Sequence, residues 1–462
     1  EVGIGKIEYE GNLDTLFRDD IEKFVEYNLN DVKIVVEIDK KMELIELTRS
    51  ICHVGHVPYE DILFSSRYLE GALLTYLRRK NLVAPNKDPH GRARFDEIKG
   101  DGSKKFSGAY VKAPVPGKYK WVFDLDLTSL YPSIIMSTNI SPETKIGVVP
   151  NWKPEDFCEG KLEEIRYGRE TYTKDEFSKF LTDNNYSISS NGVMYSQDKV
   201  GIIPSVLNEW FNQRVEFKDK MKKYGNEGDD DKYVFYKRRQ HVQKILLNSL
   251  YGVLGLPIFR FYDVDNAEAV TTTGVTVIKF SKDIANHYYN KILSDKEDHC
   301  IYIDTDSVFF SALPIVEKTR PDIDSTDDNV MATAILDVAQ NVQDFINKSY
   351  DVMAKKFFNT STHRYDIKQE VISKRSIWLA KKRYAQWIIN NNGVACDELE
   401  VKGLDVVRSS YPTRFREFMT EILQDILRDV DKQEIDDKII TLKQQIKNES
   451  VGDIAKTSAV KN

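Results

Sequence analysis

The chain has 462 residues, which at roughly 100–200 residues per domain predicts about three domains, and 41% of them are hydrophobic, enough for several ordinary cores. This excludes a disordered or fibrous protein. The 73 acidic and 66 basic residues give a formal net charge of −7, which argues against indiscriminate nucleic-acid binding but still allows a basic groove.

The cysteines and the hydropathy pattern indicate the compartment. Cysteines 52, 158, 300 and 396 lie too far apart for a metal-binding pair or a dense disulfide framework, so we expect a reducing, cytoplasmic setting. An uninterrupted apolar run of about 18 residues and a charged-then-apolar leader are both missing from the sequence. Since the first residue is Glu1, we treat the chain as a piece of a longer product or an incomplete record.

Predicted elements begin with helices over residues 12–80. Glycine and charged residues cluster from Pro85 to Lys105, which predicts a linker. A β-rich segment follows around Trp121–Leu127, and residues 140–200 have a mixed pattern.

The second half of the chain continues with residues 204–252, which predict a helical hairpin whose exposed turn spans Tyr224–Asp231. Strand and helix patterns alternate through residues 258–395. Near the end, apolar residues at spacings of three and four predict an amphipathic helix: Phe415, Phe418, Ile422 and Ile426.

The first candidate site is an apolar strand that ends at Asp126 and turns into a helix with Pro132 in its first turn. The backbone N–H groups of Ser129 to Tyr131 would then lie at a helix N-terminus beside a carboxylate, an arrangement that suits phosphate oxygens near a metal ion. Taken alone, Asp126 would more often be a helix cap or a surface carboxylate.

The second candidate site is Asp304-Thr-Asp306, which joins two apolar strands. Residues two apart in extended backbone point the same way, so the two carboxylates should repel each other unless a cation lies beside them. Mg²⁺ prefers such oxygen ligands. The alternative is an ordinary acidic hairpin turn.

The third candidate site is the helical hairpin, which contains ten basic and six acidic residues between positions 214 and 244. Most of the acids lie in the predicted turn, so one helix face should be cationic. Such a face suits a nucleoside triphosphate, whereas a merely solvated face would mix the signs. The residues that share faces at helical spacing are Arg214, Lys218, Gln240, Lys244, Asn248 and Tyr251.

A fourth segment combines basic and aromatic residues on a predicted strand. It runs from Lys374-Arg375 to Lys381-Lys-Arg-Tyr384. This composition suits contact with a nucleic-acid backbone, and a solvated basic patch is an equal alternative.

Each pattern is weak alone, but their order resembles motifs A, B and C and the KxY motif of the family B DNA-dependent DNA polymerases. The segments DLTSLYPSII, ISPET, FNQR, KKRYA and Asp453-Ile-Ala-Lys-Thr-Ser are similar to the replicative polymerases of T-even-like phages. In a phage protein, the expected location is the host cytoplasm.

The resemblance implies an α/β (α+β) fold with a ferredoxin-like palm. In this scheme a helical-hairpin fingers domain interrupts the palm, a partial RNase H-like exonuclease domain precedes it and a partial helical thumb follows. The implied boundaries are exonuclease 1–97, palm 98–200, fingers 201–256, palm 257–408 and thumb 409–462.

The resemblance also implies roles for single residues. Asp126, Asp304 and Asp306 would be catalytic, with Asp126, Asp306 and Leu127 at the metal ions and Glu370 as an extra carboxylate nearby. The implied nucleotide-binding residues are Ser129, Leu130, Tyr131, Arg214, Lys218, Lys244 and Asn248, with Tyr131 excluding a 2′-hydroxyl. The implied base-pair and primer contacts are Tyr251, Gly252, Lys382 and Tyr384.

At the N-terminus, Tyr27-Asn-Leu-Asn-Asp31 matches the last exonuclease motif, whose other carboxylates would lie upstream. We therefore expect no exonuclease activity from this chain alone. Phe106-Ser-Gly-Ala109 is close to the family's linker motif but has Phe in place of Tyr, so the tyrosine hydroxyl of that motif is missing here.

The implied reaction is template-directed transfer of a deoxynucleotide to a primer 3′-OH with two Mg²⁺ ions, which Mn²⁺ can replace. The implied partners are primer–template DNA and dNTP, with a sliding clamp and a second chain as further candidates. Two alternatives remain open, a protein-primed family B polymerase and a non-catalytic nucleic-acid-binding remnant, although a remnant should have lost the carboxylates.

Overall fold

A computed structural model describes residues 3–9, 11–91, 93, 108–408, 410–449 and 454–456. The chain divides into two compact units, one of residues 1–101 with 205–263 and the other of residues 102–204 with 264–462. The described part combines helices with an antiparallel sheet, as the predicted α+β class requires.

The helices and strands are numbered in chain order. The helices are α1 (Leu13–Asp19), α2 (Ile21–Met42), α3 (Leu44–Gly55), α4 (Ser65–Arg79), α5 (Leu130–Thr138), α6 (Pro154–Cys158), α7 (Lys174–Asp183), α8 (Ile202–Glu227), α9 (Asp230–Leu254), α10 (Val264–Leu293), α11 (Leu313–Thr319), α12 (Asp328–Phe358), α13 (Thr413–Leu427) and α14 (Lys432–Gln445). The strands are β1 (Val111–Lys112), β2 (Gly117–Leu127), β3 (Lys145–Val148), β4 (Ile165–Tyr167), β5 (Glu170–Tyr172), β6 (Tyr186–Ile188), β7 (Val193–Ser196), β8 (Cys300–Asp304), β9 (Ser307–Ser311), β10 (Ile367–Ala380), β11 (Arg383–Asn391) and β12 (Val394–Lys402).

In the first unit, the predicted N-terminal helices are present as α1 to α4, and α8 and α9 form the predicted hairpin. The predicted turn was too long, because α8 continues to Glu227 and α9 starts at Asp230. Tyr224 stacks on Tyr236 of α9 with ring centroids 5.5 Å apart, which favours the extra helical turn. The Asp229 side chain accepts from the Lys232 N–H and caps α9.

The loop that follows α9 belongs to the first unit. The compact unit continues to residue 263, where Phe259 and Phe261 are buried. Arg260 Nε donates to Glu70 Oε1 at 2.9 Å, and Lys87 pairs with the same carboxylate, which ties this loop to α4. The predicted linker at Pro85–Lys105 lies largely outside the described residues.

The second unit is built on a seven-stranded sheet in the order β1-β8-β9-β2-β10-β11-β12. Its central strand β2 is antiparallel to β9 on one side and to β10 on the other. Because successive side chains of a strand point to opposite faces, Phe309 and Phe310 of β9 belong to two different packing layers. The sheet thus has a core on each face.

One of these faces carries an aromatic cluster in which the Trp378 ring stacks on Tyr384 at 4.2 Å. On the other face, Tyr289 of α10 packs against Phe310 at 5.3 Å and donates its hydroxyl to the Ser311 carbonyl at 3.0 Å. Helix α12 is joined to β10 through Asn347, whose amide donates to the Ile367 carbonyl at 2.9 Å.

Residues 140–200, where the sequence pattern was mixed, form short elements around a small core of their own. The three-stranded sheet β3-β7-β6 and the hairpin β4-β5 accompany helices α6 and α7. Trp152, Phe157 and Phe177 form the centre of this core, with Trp152 and Phe157 centroids 4.8 Å apart.

The predicted C-terminal amphipathic helix is α13, and α14 follows it. Asp429, just after α13, pairs with Lys118 and Arg375 of the sheet. In the described ranges, none of the helices has both the length and the apolar character that a membrane span needs.

Candidate active site

Asp126 lies near the end of the central strand of the sheet. In β2 it is opposite Ser307 of β9 on one side and Lys368 of β10 on the other. The next residue, Leu127, donates its N–H to the Asp306 carbonyl at 2.9 Å. The end of β2 and the β8–β9 turn are therefore hydrogen-bonded side by side, which brings the first two candidate sites together.

The β8–β9 turn carries the other two predicted carboxylates. Asp304 ends β8, and its carbonyl accepts from the Asp306 N–H at 2.7 Å. Thr305 between them has a φ of 63°, in the left-handed region that a β-branched residue rarely adopts. The sequence analysis assumed extended backbone from Asp304 to Asp306. The left-handed Thr305 interrupts the alternation of side chains that extended backbone would give.

The electrostatic environment of this turn disfavours negative charge. Burial raises the pKa of Asp306 to about 6, and the neighbouring carboxylates of Asp304 and Glu370 add to the rise, while Lys382 opposes it. A largely buried carboxylate next to like charges is costly for the fold and is typical of a functional site.

Lys382, a predicted primer contact, pairs with Asp304. Its Nζ atom lies 2.7 Å from Asp304 Oδ1 and 2.9 Å from Oδ2. Its backbone N–H donates to the Tyr302 hydroxyl at 2.8 Å. Gly403 lies close against the backbone of Lys382 and so helps to hold this turn. A Cβ atom at position 403 would lie 2.0 Å from the Lys382 carbonyl oxygen. The second acidic residue of the cluster thus has a cationic partner within the chain.

In the described part of the chain, three or more His, Cys, Asp or Glu side chains do not come together in an arrangement that would hold a metal ion. The donors still fit a hard divalent cation, because Mg²⁺ binds oxygen and commonly uses only one or two carboxylates, with water and phosphate as the remaining ligands. A cation would also relieve the repulsion around Asp306.

Sequence analysis did not recognise the role of Asp124, two residues before Asp126. Strand β10 bulges opposite it, since Leu125 pairs with Gln369 while Phe123 pairs with Ile372. Asp124 Oδ1 accepts the backbone N–H groups of the bulged residues, at 3.2 Å from Glu370 and 2.6 Å from Val371. Burial raises the pKa of Asp124 to about 7, although these two hydrogen bonds act to lower it. Asp124 thereby holds the bulge that carries Glu370.

We expect Asp124→Ala to destabilise the protein by about 1–3 kcal/mol, because the backbone N–H groups of Glu370 and Val371 would lose their acceptor. Asp124→Asn keeps an amide oxygen at the same place and should retain most of the stability. Calorimetric unfolding of the two variants beside the wild type measures this difference, and equal midpoints for Ala and Asn would show that the bulge does not depend on this oxygen.

The turn from β2 into α5 contains Ser129, Leu130 and Tyr131, which the resemblance assigns to nucleotide binding. Ser129 precedes the helix with a φ of 50°, and its side chain makes no capping hydrogen bond to the first turn. Leu130 begins the helix, and Tyr131 is half-buried. A Cβ atom on Gly274 of α10 would lie 3.2 Å from the Tyr131 ring, so the glycine allows this ring to pack closely on α10.

The tyrosine of the KxY motif, Tyr384, is a core residue. Tyr384 is only 8% exposed, and its ring packs against Tyr302 at 5.7 Å in addition to Trp378. Burial strongly raises the pKa of its hydroxyl. This packing gives the β10–β11 turn a rigid base, with Lys382 at its tip.

The hairpin residues belong to the other unit, and most of them are accessible. Lys218, Lys244, Asn248 and Gly252 are exposed, and Arg214 and Tyr251 are half-buried. Burial lowers the pKa of Arg214.

The sequence patterns did not identify one further residue of the hairpin, His241 of α9. Burial lowers the pKa of His241, and the charges of Lys244 and Arg214 add to this effect. His241 lies three residues before Lys244, at helical spacing, and its lowered pKa favours the neutral imidazole beside these cations.

The predicted exonuclease motif is on α2. Tyr27 hydrogen-bonds Asp31, which raises the pKa of the Tyr27 hydroxyl, and Lys6 lies 3.8 Å from the same carboxylate. Phe106 and Ser107 of the predicted linker motif lie outside the described residues.

Comparison with known proteins supports the resemblance seen in the sequence. The family model for DNA polymerase family B matches residues 63–319 and 325–459. These ranges include the whole candidate site and the hairpin, but not the motif at Tyr27 and Asp31.

The chain is also similar to individual curated polymerases. It is 26% identical to the DNA-directed DNA polymerase of Escherichia phage RB69, over 93% of this chain and 51% of that protein. It is 27% identical to the DNA-directed DNA polymerase of Enterobacteria phage T4, over 92% of this chain and 51% of that protein. It is 26% identical to a DNA polymerase of Thermococcus gorgonarius, over 90% of this chain and 43% of that protein. The chain thus spans about half the length of these relatives.

Proposed function

This chain belongs to DNA polymerase family B, and we propose that it catalyses template-directed addition of deoxynucleotides to a primer 3′-OH with release of pyrophosphate. The observation that carries this proposal is the cluster of acidic residues at the end of β2 and in the β8–β9 turn, where burial and like charge raise the pKa of Asp306 to about 6. Similarity to phage polymerases supports a role in phage DNA replication.

The fold supports assigning domains as the resemblance implies. The seven-stranded sheet with α10 and α12 would be the palm, of ferredoxin-like type, and α8 with α9 would be the fingers. Helices α13 and α14 would begin the thumb, and α1 to α4 would be the end of an RNase H-like exonuclease domain.

Asp126, Asp306 and the backbone of Leu127 would hold two divalent ions, which supply charge neutralisation at the phosphates and a lower pKa for the 3′-OH. Asp304 would support the site indirectly, because its ion pair with Lys382 would hold the β8–β9 turn beside the primer end. Glu370, on the bulge held by Asp124, would add negative charge near these ions.

The triphosphate would lie at the N-terminus of α5, where Ser129 and Leu130 offer backbone N–H groups. The family resemblance assigns Arg214, Lys218 and Lys244 to its phosphates. It assigns Asn248, Tyr251 and Gly252 to the nascent base pair, and Lys382 and Tyr384 to the primer duplex.

Primer extension tests the proposed function. The purified chain is mixed with a 5′-labelled primer on a longer template, the four dNTPs and Mg²⁺, and we expect products up to the template length. Bound DNA without any extension would favour the non-catalytic remnant, and synthesis only from a protein hydroxyl would favour the protein-primed polymerase.

We expect Lys244→Ala to lower kcat/KM for the incoming nucleotide by about tenfold to a hundredfold, because one charge-assisted hydrogen bond to a phosphate is lost. Single-nucleotide incorporation at varied dNTP concentration measures it. Lys222→Ala, an exposed lysine of α8, is the matched control. Equal kinetics for the two variants would remove Lys244 from the nucleotide site.

Further protein surface, from this polypeptide or from a second chain, would complete the exonuclease domain. The apolar side chains of Leu29, Val32 and Val35 on α2 are 57–66% exposed, which supports a covering partner for this helix. Asp31 would be one metal ligand of that site, and we expect no proofreading from these 462 residues alone. A sliding clamp would be a further partner.

A further inference from the structure

The unit of residues 1–101 and 205–263 contains a cavity of about 750 Å³. Helices α3 and α4 form one side of it, and helices α8 and α9 form the other. This volume lies in the range of sites that bind small organic molecules. None of the residues assigned above to the polymerase or exonuclease reaction lines it.

The wall of this cavity is aromatic. Trp210 is 5% exposed and Phe235 is 45% exposed, and both line the cavity together with Tyr76 and Phe217. The Arg239 guanidinium lies over Phe235 at 4.7 Å and over Phe217 at 5.7 Å. Flat aromatic and guanidinium surfaces of this kind stack on planar rings.

Two buried polar atoms of the lining residues have no hydrogen-bond partner among the described residues. Gln243 is 3% exposed, and its Nε2 donates to Gln213 at 2.8 Å while its Oε1 remains unpaired. Arg238 pairs with Glu43 and Glu46 through its terminal nitrogens, but its Nε–H remains unpaired. Both residues line the cavity, so an unpaired acceptor and an unpaired donor lie in its wall, and the edge of a nucleobase carries groups that match them.

The charges around the cavity suit an anionic ligand. Its acidic residues are Glu46, Glu209 and Glu216. Glu46 is neutralised by Arg49 and Glu216 by Lys220, whereas Glu209 has no ion-pair partner among the described residues. In the part of the chain that the structure describes, Arg79 and Arg239 have no ion-pair partner. A positive excess therefore remains beside the aromatic wall.

A second, shallower cavity of about 530 Å³ continues from the first one. The two share Arg49, His53 and His56, and the second extends to Tyr59, which is 49% exposed. Together they form a groove in which a deep aromatic site is followed by arginine and histidine side chains and another aromatic ring. A free nucleotide would fill only the first part, whereas a strand would fill both.

We propose that this groove binds single-stranded DNA, with one unpaired base in the deep cavity and the following phosphates along Arg49, His53 and His56. The base would stack on Phe235 and hydrogen-bond Gln243 Oε1 and Arg238 Nε. The choice of DNA as the strand rests on the proposed function, while the groove itself does not.

Binding of a fluorescein-labelled single-stranded dT₁₂ oligonucleotide, followed by fluorescence anisotropy without primer or Mg²⁺, tests the proposal. Phe235→Ala should weaken binding by about 5- to 100-fold, the range expected for loss of one stacked base. Arg239→Gln should weaken it by about 3- to 10-fold and reduce its salt dependence. Neighbouring Val234→Ala and Lys237→Gln, whose side chains do not line the groove, are matched controls and should bind as the wild type does.

Two further probes define the ligand. A strand of equal length with abasic sites carries the same charge, so equal affinity for both strands would overturn the base site. If dAMP binds more tightly than the strand and loses affinity in Phe235→Ala, the occupant is a free nucleotide and the strand proposal is wrong. Equal strand affinity in all four variants would also overturn it.

Primer extension by the wild type is measured in parallel with strand binding. Failure of extension with intact, Phe235-dependent binding would reject the proposed function and leave the groove as a DNA site. Extension without such binding would reject the groove alone.

Discussion

Replacing Asp126 or Asp306 by Ala is expected to abolish primer extension, with a loss in rate of about 10³-fold or more. Losing a position at the metal ions should cost at least about 4 kcal/mol of transition-state stabilisation. Single-turnover extension of a labelled primer measures the loss. Near-normal extension by either variant would contradict the assignment of these residues.

Folding and DNA binding should survive these substitutions. Asp306 is a buried carboxylate near the like charges of Asp304 and Glu370, so its removal should leave thermal stability unchanged or raise it. Asp322→Ala, an exposed carboxylate elsewhere in the same unit, is the control and should extend primers normally. A large drop in unfolding temperature for Asp306→Ala would indicate a structural role instead.

Tyr131→Ala is expected to weaken selection against ribonucleotides by about 100-fold, equivalent to about 2.7 kcal/mol. A ring packed under the deoxyribose leaves no space for a 2′-hydroxyl, and Ala would open that space. The ring is half-buried and close to Gly274, which limits its freedom to move away. The ratio of kcat/KM for ribo- and deoxynucleotides measures the selection.

Catalysis with deoxynucleotides should fall much less in Tyr131→Ala, because the acidic residues are untouched. Tyr131→Phe keeps the ring and loses only the hydroxyl, so its ratio should stay near that of the wild type. If Ala and wild type discriminate equally, Tyr131 does not lie under the sugar.

Where a site depends on a short segment, sequence reasoning was sufficient. The strand that ends at Asp126, the turn between Asp304 and Asp306, and the hairpin with Lys244 were all predicted from alternation, helical spacing and turn residues. The turn of the hairpin was placed less well, since the stacking of Tyr224 on Tyr236 extends α8 and does not follow from turn-forming residues alone.

The sequence by itself determined which chemical groups the site contains and their order along the chain. It could do so because strands, helices and turns follow from patterns within about ten residues. Tertiary structure alone decided which groups meet. Asp124 and Val371 are 247 positions apart, and Lys382 and Asp304 are 78 apart, so no periodicity links them. Sheet register and a β-bulge set these contacts, and the packing of four helices creates the groove beside Gln243, because such contacts depend on how whole elements assemble.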